Sequence, residues 1–298
     1  MCMIACVVLM LTMLAVAGDQ ATANPLFQEL LAEGIALRDD VRAKLPSPTL
    51  ADGLDEAAQQ EALGKIFGDR YSVEEFARNA VVAPYVLKFS DVRNGEVVAR
   101  GVDLWFIAYG DLDGLANVEV LEKLNTGRGR DTTLHTLSIA DLEARNLPAG
   151  NADLAKRTKN PSAANERFVH TAASIMDRVE LHQTSRCMLS RTADSVLIAS
   201  LVDRRFDADR EFPNAYHRLE RSDLGEISKG AAQPYSGAGS YLKSTKLSQP
   251  QGAILVEYHM MYSEPRDWFN GANLLQSKLP ILLQARVREL RRELKAGK

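Results

Sequence analysis

Apolar side chains recur every three or four residues along the end of the chain, which predicts a long amphipathic helix with one apolar stripe. The stripe consists of Leu275, Leu279, Leu283, Val287, Leu290 and Leu294. Charged residues lie between them, with Arg286, Arg288, Arg291 and Arg292 interleaved with Glu289 and Glu293. We expect these charges to form a solvated face. A stripe of this length must be buried against another layer, and this requirement constrains what the preceding residues can form.

The preceding residues contain strand-like runs that are joined by short turns. Two hairpins are predicted, one from 81–89 and 97–109 and one from 178–189 and 195–206, with three further strands at 215–221, 237–247 and 253–262. Asn94-Gly95 in the first hairpin is typical of a type I′ turn, in which both central residues have a positive φ angle. Successive strands joined in this way predict an antiparallel sheet. The expected class is therefore α+β, with this sheet packed on the long C-terminal helix.

The region before the first strand has helical spacing. Residues 25–46 are predicted to form a helix that Pro46 and Pro48 stop. A second helix is expected over 54–67, opened by Asp52 or Asp55 and closed by Gly68, and a third from Ser72, in a capping-box pattern with Glu75, to about Ala80. The predicted organisation is a helical N-terminal segment at 24–80 and an antiparallel α+β domain at 81–298.

The first 17 residues are uncharged and mostly apolar, and the first charge is Asp19. This length is typical of a signal peptide and is short for a membrane-spanning helix, which needs about 20 apolar residues. Small residues suit cleavage after Ala17 or after Ala23, and we prefer Ala23. The prediction is a signal peptide at 1–23 and an exported, periplasmic or extracellular protein without a membrane span. The alternative is that the run is retained as an anchor.

Charge and cysteine content limit the partners and the chemistry. The formal net charge of −3 argues against a nucleic acid as the main partner, because such domains usually carry a strong basic excess. Two of the three cysteines lie in the expected signal, so Cys187 alone remains and cannot form an internal disulfide. We interpret Cys187 as a small buried hydrophobic residue.

The C-terminal part resembles the START and polyketide-cyclase superfamily over roughly its last 120 residues. The similarity lies in the strand 252–258, the Glu264-Pro265 break, Leu279-Pro280 and the helix that runs to Leu294, with a smaller contribution from the strand 237–241. The resemblance implies a helix-grip fold, in which a curved antiparallel sheet wraps around a long C-terminal helix. It also implies a cavity for an apolar small molecule or a lipid.

Glu257 and His259 are the candidate catalytic residues, and they also head the candidate ligand contacts. They are two apart on one predicted strand, so they share a face of the sheet. The alternation of polar and apolar residues favours a solvated face. The other interpretation places both side chains inside a cavity, as polar contacts for a ligand or as an acid/base pair.

Three more residues complete the candidate ligand site. Tyr241 lies on the neighbouring predicted strand, and Trp268 begins an aromatic pair with Phe269 that either lines a cavity mouth or packs the helix on the sheet. His182 lies beside Glu180 and Thr184, and its role is open in the same way as that of His259. No histidine pair has the i, i+4 spacing of a helical zinc site, so we predict no metal and no cofactor.

These features leave three hypotheses for function. The first is a carrier or sensor that binds an apolar small molecule or a lipid in a helix-grip cavity. The second is a hydrolase or cyclase that uses Glu257 and His259, although no Gly-x-Ser-x-Gly nucleophile motif occurs. The third is a non-catalytic scaffold of the cell envelope, in which residues 24–80 bind a protein partner.

Overall fold

The structure is a computed structural model of the chain. It describes residues 24–37, 41–115, 132–147, 165–221, 226–265, 268–269 and 274–296. The signal peptide expected at 1–23 lies outside the described residues. Within the described part, none of the helices has both the length and the apolar character that a membrane crossing requires.

The N-terminal segment forms helices and one short β-ladder. Its elements are α1 (Pro25–Ala32), β1 (Ile35–Ala36), β2 (Arg42–Ala43), α2 (Glu56–Phe67) and α3 (Val73–Phe76), with a 3-10 turn at Gly68–Arg70. Residues 44–54, which we call the strap, connect the ladder to α2 without a helix or strand of their own. The strap becomes important below because it covers one face of the main sheet.

The predicted helix at 25–46 is wrong beyond Ala32. Gly34 has a φ of +78°, and a Cβ atom at this position would lie 2.7 Å from the carbonyl oxygen of Ala43. The chain therefore turns back at Gly34, and Ile35 pairs with Ala43 in an antiparallel ladder. The apolar residues whose spacing suggested one helix, Leu30, Ile35 and Leu37, are all buried, although only Leu30 belongs to a helix.

The second and third helices follow the prediction more closely. Asp55 caps α2 by accepting a hydrogen bond from the Ala58 N–H, and Gly68 ends it with a φ of +53°. Ser72 caps α3 through the Glu75 N–H, although α3 ends at Phe76 and not at Ala80. Short polar side chains and a glycine therefore set these boundaries, as the sequence predicts.

The main sheet is antiparallel throughout its described strands. They are β3 (Tyr85–Asn94), β4 (Glu96–Tyr109), β5 (Thr132–Thr136), β6 (Asn165–Ile175), β7 (Val179–Arg191), β8 (Ser195–Val202), β9 (Ala215–Arg221), β10 (Ile227–Lys229), β11 (Gln233–Pro234), β12 (Ala238–Lys246) and β13 (Ala253–Ser263). The strand order is β10-β9-β7-β8-β12-β13-β4-β3. In addition, β6 pairs with β7, β5 pairs with β6, and β11 pairs with β9. The helices are α4 (Leu112–Leu115), α5 (Ile139–Glu143) and the long C-terminal α6 (Leu274–Ala296), with a 3-10 turn at Arg204–Phe206. The predicted α+β class is confirmed.

Two turn assignments differ from the sequence analysis. The Asn94-Gly95 hairpin forms, but only Gly95 has a positive φ angle, so the turn is not type I′. Two consecutive positive φ angles occur instead at Met176 (56°) and Asp177 (54°), which connect β6 to β7. Neither residue is a glycine or an asparagine, and the sequence analysis missed both this turn and strand β6.

Side chains that alternate along the strands divide the sheet into two buried faces. The inner face meets α6, because Leu104, Leu242 and Tyr258 share a core with the helix residues Leu283 and Leu290. The outer face is covered by the N-terminal segment through two further apolar clusters. The sheet is therefore the middle layer of the described structure, and β12 and β13 are buried along almost their whole length.

Arg291 anchors the C-terminal half of α6. The sequence analysis placed it on a solvated face, which is wrong, because the residue is only 6% exposed. Its guanidinium donates hydrogen bonds to the carbonyl oxygens of Ile107, Ala83 and Pro84 at 2.6 to 2.8 Å. Burial lowers its pKa to about 10. One side chain thus joins the helix to both β4 and the segment before β3.

Replacing Arg291 with Lys should lower the free energy of unfolding by about 2 kcal/mol, because an ammonium cannot reach all of these carbonyls at once. Urea unfolding monitored by circular dichroism would measure the change. The control is Arg292→Lys at the neighbouring exposed position, where we expect almost no effect. Equal stabilities for the two variants would contradict this role for Arg291.

Candidate functional site

Four polar side chains of β12 and β13 lie together on the outer face. Tyr241 is opposite His259, and Lys243 is opposite Glu257 in the strand register. All four residues are buried, at 5% exposure or less. The interpretation of Glu257 and His259 as a solvated face is therefore wrong, because the strap covers them.

His259 lies between two carboxylates. Its Nδ1 atom is 2.7 Å from Asp103 Oδ1, and its Nε2 atom is 3.5 Å from Glu257 Oε2. Burial alone would lower the pKa of the imidazole, but the hydrogen bond with Asp103 and the negative charge of Glu257 outweigh it and raise the pKa. The ring also packs against Tyr241 at a centroid distance of 4.8 Å. Because both ring nitrogens face protein carboxylates, the surroundings favour the protonated form of this imidazole.

The strap is bound to these side chains through its backbone. Glu257 accepts a hydrogen bond of 2.7 Å from the Thr49 N–H, and the Tyr241 hydroxyl donates to the Pro46 carbonyl at 2.8 Å. The Trp105 indole N–H donates to the Thr49 hydroxyl at 2.9 Å. The peptide groups of an irregular segment need such partners when they are buried.

Lys243 and Asp52 form the second half of this network. The Lys243 ammonium lies 2.8 Å from Asp52 Oδ1 and donates to the Leu50 carbonyl at 2.6 Å. Asp52 also accepts hydrogen bonds from the hydroxyls of Thr192 and Ser195. Burial raises the pKa of Asp52, but the bonds from Lys243, Ser195 and Thr192 lower it below its ordinary value. The strap is thus fastened to four strands of the sheet, β4, β8, β12 and β13.

The other two predicted ligand contacts lie elsewhere. Trp268 is buried on the inner face, stacked on Tyr235 at 5.8 Å and edge-on to Tyr216 at 5.6 Å. His182 is on the outer face at the far end of β7, where its Nε2 atom lies 2.8 Å from Glu180 Oε1. The structure therefore brings Tyr241, Glu257 and His259 together and separates them from Trp268 and His182.

His182 belongs to a row of imidazoles on adjacent strands. Its ring centroid is 5.7 Å from that of His170 and 5.9 Å from that of His217. Lys229 shares Glu180 with His182. Within the part of the chain that the structure describes, no three His, Cys, Asp or Glu side chains are placed to hold one metal ion.

A charged pocket of about 260 Å³ lies where α1 and β1 meet the ends of β8 and β12. Arg186 in its wall bonds to Glu29, and Arg205 bonds to Asp203. These opposite charges already satisfy one another, so the pocket offers no clear recognition chemistry.

The inner face contains a feature that the sequence analysis missed. Six adjacent inward positions on β7, β8 and β12 carry no side chain larger than valine, and each is at most 5% exposed. This small-residue patch consists of Ser185, Cys187, Ser200, Val202, Ala238 and Ser240. Cys187 is opposite Ser200, and Ser200 is opposite Ser240. In the sequence, the only sign of the patch is that Ala238 and Ser240, two positions apart on one strand, are both small. That they adjoin small residues on β8 and β7 becomes visible once the strand register is known.

No protein-family model matches the sequence, and no curated protein matches it. Among solved structures, the chain is similar to the human StarD13 (DLC2) lipid transfer and protein localization domain, with 10% identity, 82% of this chain and 98% of that chain covered, and a TM-score of 0.39.

Two more solved structures show the same general arrangement. Human STARD10 is 7% identical, covers 82% of this chain and 84% of its own, and has a TM-score of 0.33. The di-domain ARO/CYC StfQ from the steffimycin biosynthetic pathway is 12% identical and has a TM-score of 0.23, and the match covers 68% of this chain and 72% of that chain. The chain is thus similar to START and polyketide-cyclase structures in its arrangement of sheet and helix, and these values carry no conclusion about function.

Proposed function

We propose that the protein binds an apolar small molecule or a lipid between the inner face of its sheet and α6. The observation that carries this proposal is the small-residue patch. Protein interiors are close-packed, and large inward side chains such as Leu104, Phe106 and Tyr258 fill this face near β4 and β13. At the patch, three strands in succession present small side chains although the positions are buried.

The position of α6 supports the same proposal. The helix packs on the end of β4, where Leu294 lies against Gly110 and the Arg291 guanidinium lies over the Phe106 ring at 5.5 Å. The patch is on β7, β8 and β12, which are separated from β4 by β13. An apolar guest there would be shielded from water by the sheet, and burial of its surface would favour binding by about 25 cal/mol per Å².

The test is native mass spectrometry of the purified full chain, followed by organic extraction of what it carries. We expect an apolar molecule that co-purifies and is released by extraction. A folded protein that carries nothing, and takes up no apolar probe after extraction, would rule the proposal out.

A bulky residue in the patch should displace this molecule. Ser200→Phe places a ring in the centre of the patch, and Ser228→Phe makes the same change at an exposed position of β10. We expect the co-purifying mass to disappear from the first variant and to persist in the second. Circular dichroism would establish that both variants are folded.

We further propose that the protein acts outside the cytoplasm as a processed chain. The support is the uncharged apolar run before Asp19, followed by small residues. The intact mass of the exported fraction distinguishes cleavage after Ala17, cleavage after Ala23 and a retained anchor. A full-length mass confined to the cytoplasm would refute export.

A further inference from the structure

We propose that the ligand of the inner face carries an uncharged hydrogen-bonding group, a hydroxyl or a carbonyl, that bonds to Ser240. This inference rests on the proposed function and specifies the chemical class of its ligand. It starts from one side chain at the edge of the small-residue patch. Ser240 is 2% exposed, and among the described residues its Oγ atom has no hydrogen-bond partner.

A hydroxyl in this state is unusual in a folded protein. Burial removes its hydrogen bonds to water, and most buried polar groups regain partners within the structure. The neighbouring Ser200 illustrates the ordinary case, because its Oγ atom lies 3.3 Å from the Cys187 thiol, which donates to it. Ser240 points to the same inner face as Leu242, two residues along β12, and therefore to the face that carries the patch. A ligand group is the partner that this position lacks.

The surroundings of Ser240 favour a neutral ligand group over a charged one. Its cross-strand neighbours are Met260 and Ser200. The buried charged residues of β12 and β13, Lys243, Glu257 and His259, belong to the outer face. Lys246 is exposed at the other end of β12. A carboxylate or phosphate beside Ser240 would be buried without a cation, which is strongly unfavourable.

The nearest charged residue in the same row of the inner face is distant. Arg167 is the register partner of Cys187 and lies on β6, which is the third strand from β12. Strands are spaced by about 4.8 Å, so the Cα atoms of Arg167 and Ser240 are about 14 Å apart. Arg167 also engages another group. An amphiphile with a neutral polar end and an apolar body therefore fits the patch best.

The experiment compares three ligands of equal chain length on the full chain after organic extraction. Dodecane, 1-dodecanol and dodecanoate would each compete with the neutral fluorescent probe N-phenyl-1-naphthylamine. We expect 1-dodecanol to bind about tenfold more tightly than dodecane, since one buried hydrogen bond is worth about this factor. Dodecanoate should bind more weakly than 1-dodecanol.

Two alanine variants make the test specific. Ser240→Ala should weaken the binding of 1-dodecanol about tenfold and leave the binding of dodecane unchanged. It removes a hydroxyl without a partner, so the fold should be retained. The matched control is Ser244→Ala on the same strand and the same face. Its hydroxyl is also buried without a described partner, but it lies between Val196 and Val256, outside the patch. This control should bind all three ligands as the unchanged protein does.

The outcomes separate the two proposals. If the unchanged protein binds neither the probe nor any of the three ligands, the proposed function fails. If it binds dodecane and 1-dodecanol equally, or if Ser240→Ala does not alter the preference, the proposed function stands and the role of Ser240 is refuted. Tightest binding of dodecanoate would refute the neutral class.

Discussion

Replacing Lys243 with Met should lower the free energy of unfolding by about 3 to 5 kcal/mol, the cost of removing one partner from a buried ion pair. The change leaves Asp52 without its cation and the Leu50 carbonyl without its donor. Both groups belong to the strap, so its contact with the sheet should weaken most. Urea unfolding gives the global loss, and hydrogen exchange at residues 44–54 gives the local one.

The matched control for this prediction is Lys246→Met. Lys246 is on the same strand and is exposed, and its ammonium donates to the Ala193 carbonyl. We expect a loss below about 0.5 kcal/mol for this surface position. If the two methionine variants were equally stable, the network would not be what holds the strap.

Stability should fall on both the acid and the alkaline side of a maximum, because two buried histidines respond to pH in opposite directions. His170 is buried, and burial, with the charges of His182 and His135, lowers its pKa to about 4. In the unfolded chain it takes up a proton at about 6.5. Acidification from pH 7 to pH 5 should therefore lower the free energy of unfolding by about 2 kcal/mol. The loss should reach about 3 kcal/mol once the pH falls below both the folded and the unfolded pKa.

His259 acts on the alkaline side. Its raised pKa means that the folded state holds the proton more tightly than the unfolded chain does. The stabilisation is fully present below about pH 6.5 and is lost as the pH rises through the folded pKa. Unfolding curves between pH 5 and pH 9 would measure both limbs. His170→Gln should flatten the acid limb, and His259→Gln should flatten the alkaline one. A profile that neither variant changes would contradict this assignment.

The elements that sequence reasoning predicted are those with local signals. Asp55 and Ser72 cap α2 and α3 as expected, because an N-cap depends on a side chain and a backbone N–H three residues away. The strands β4, β7, β8, β12 and β13 and the helix α6 follow from periodicity alone. Gly34 was misread because its positive φ angle is required by a contact with Ala43, nine residues later.

Local sequence signals predict only part of the candidate site. Glu257 and His259 were correctly placed on one face, because alternation along a strand fixes which side chains share a side. The position of Tyr241 opposite His259 required the strand register. Whether water or protein covers that side depends on the strap, which has no periodicity of its own. The same reason hid Arg291, whose acceptors on 83–84 and at Ile107 are far from it in sequence.

The two covered faces of the sheet also bear on how this sequence can change through evolution. A strand with one solvated face usually alternates between constrained and free positions. Along β12 and β13 every second residue supports α6 or the inner face, and the residues between support the strap. Neutral drift should therefore be slow at consecutive positions of these strands, polar ones included. Most variation among descendants of this chain would accumulate at exposed turn positions such as 193–194 and on the exposed side of α6.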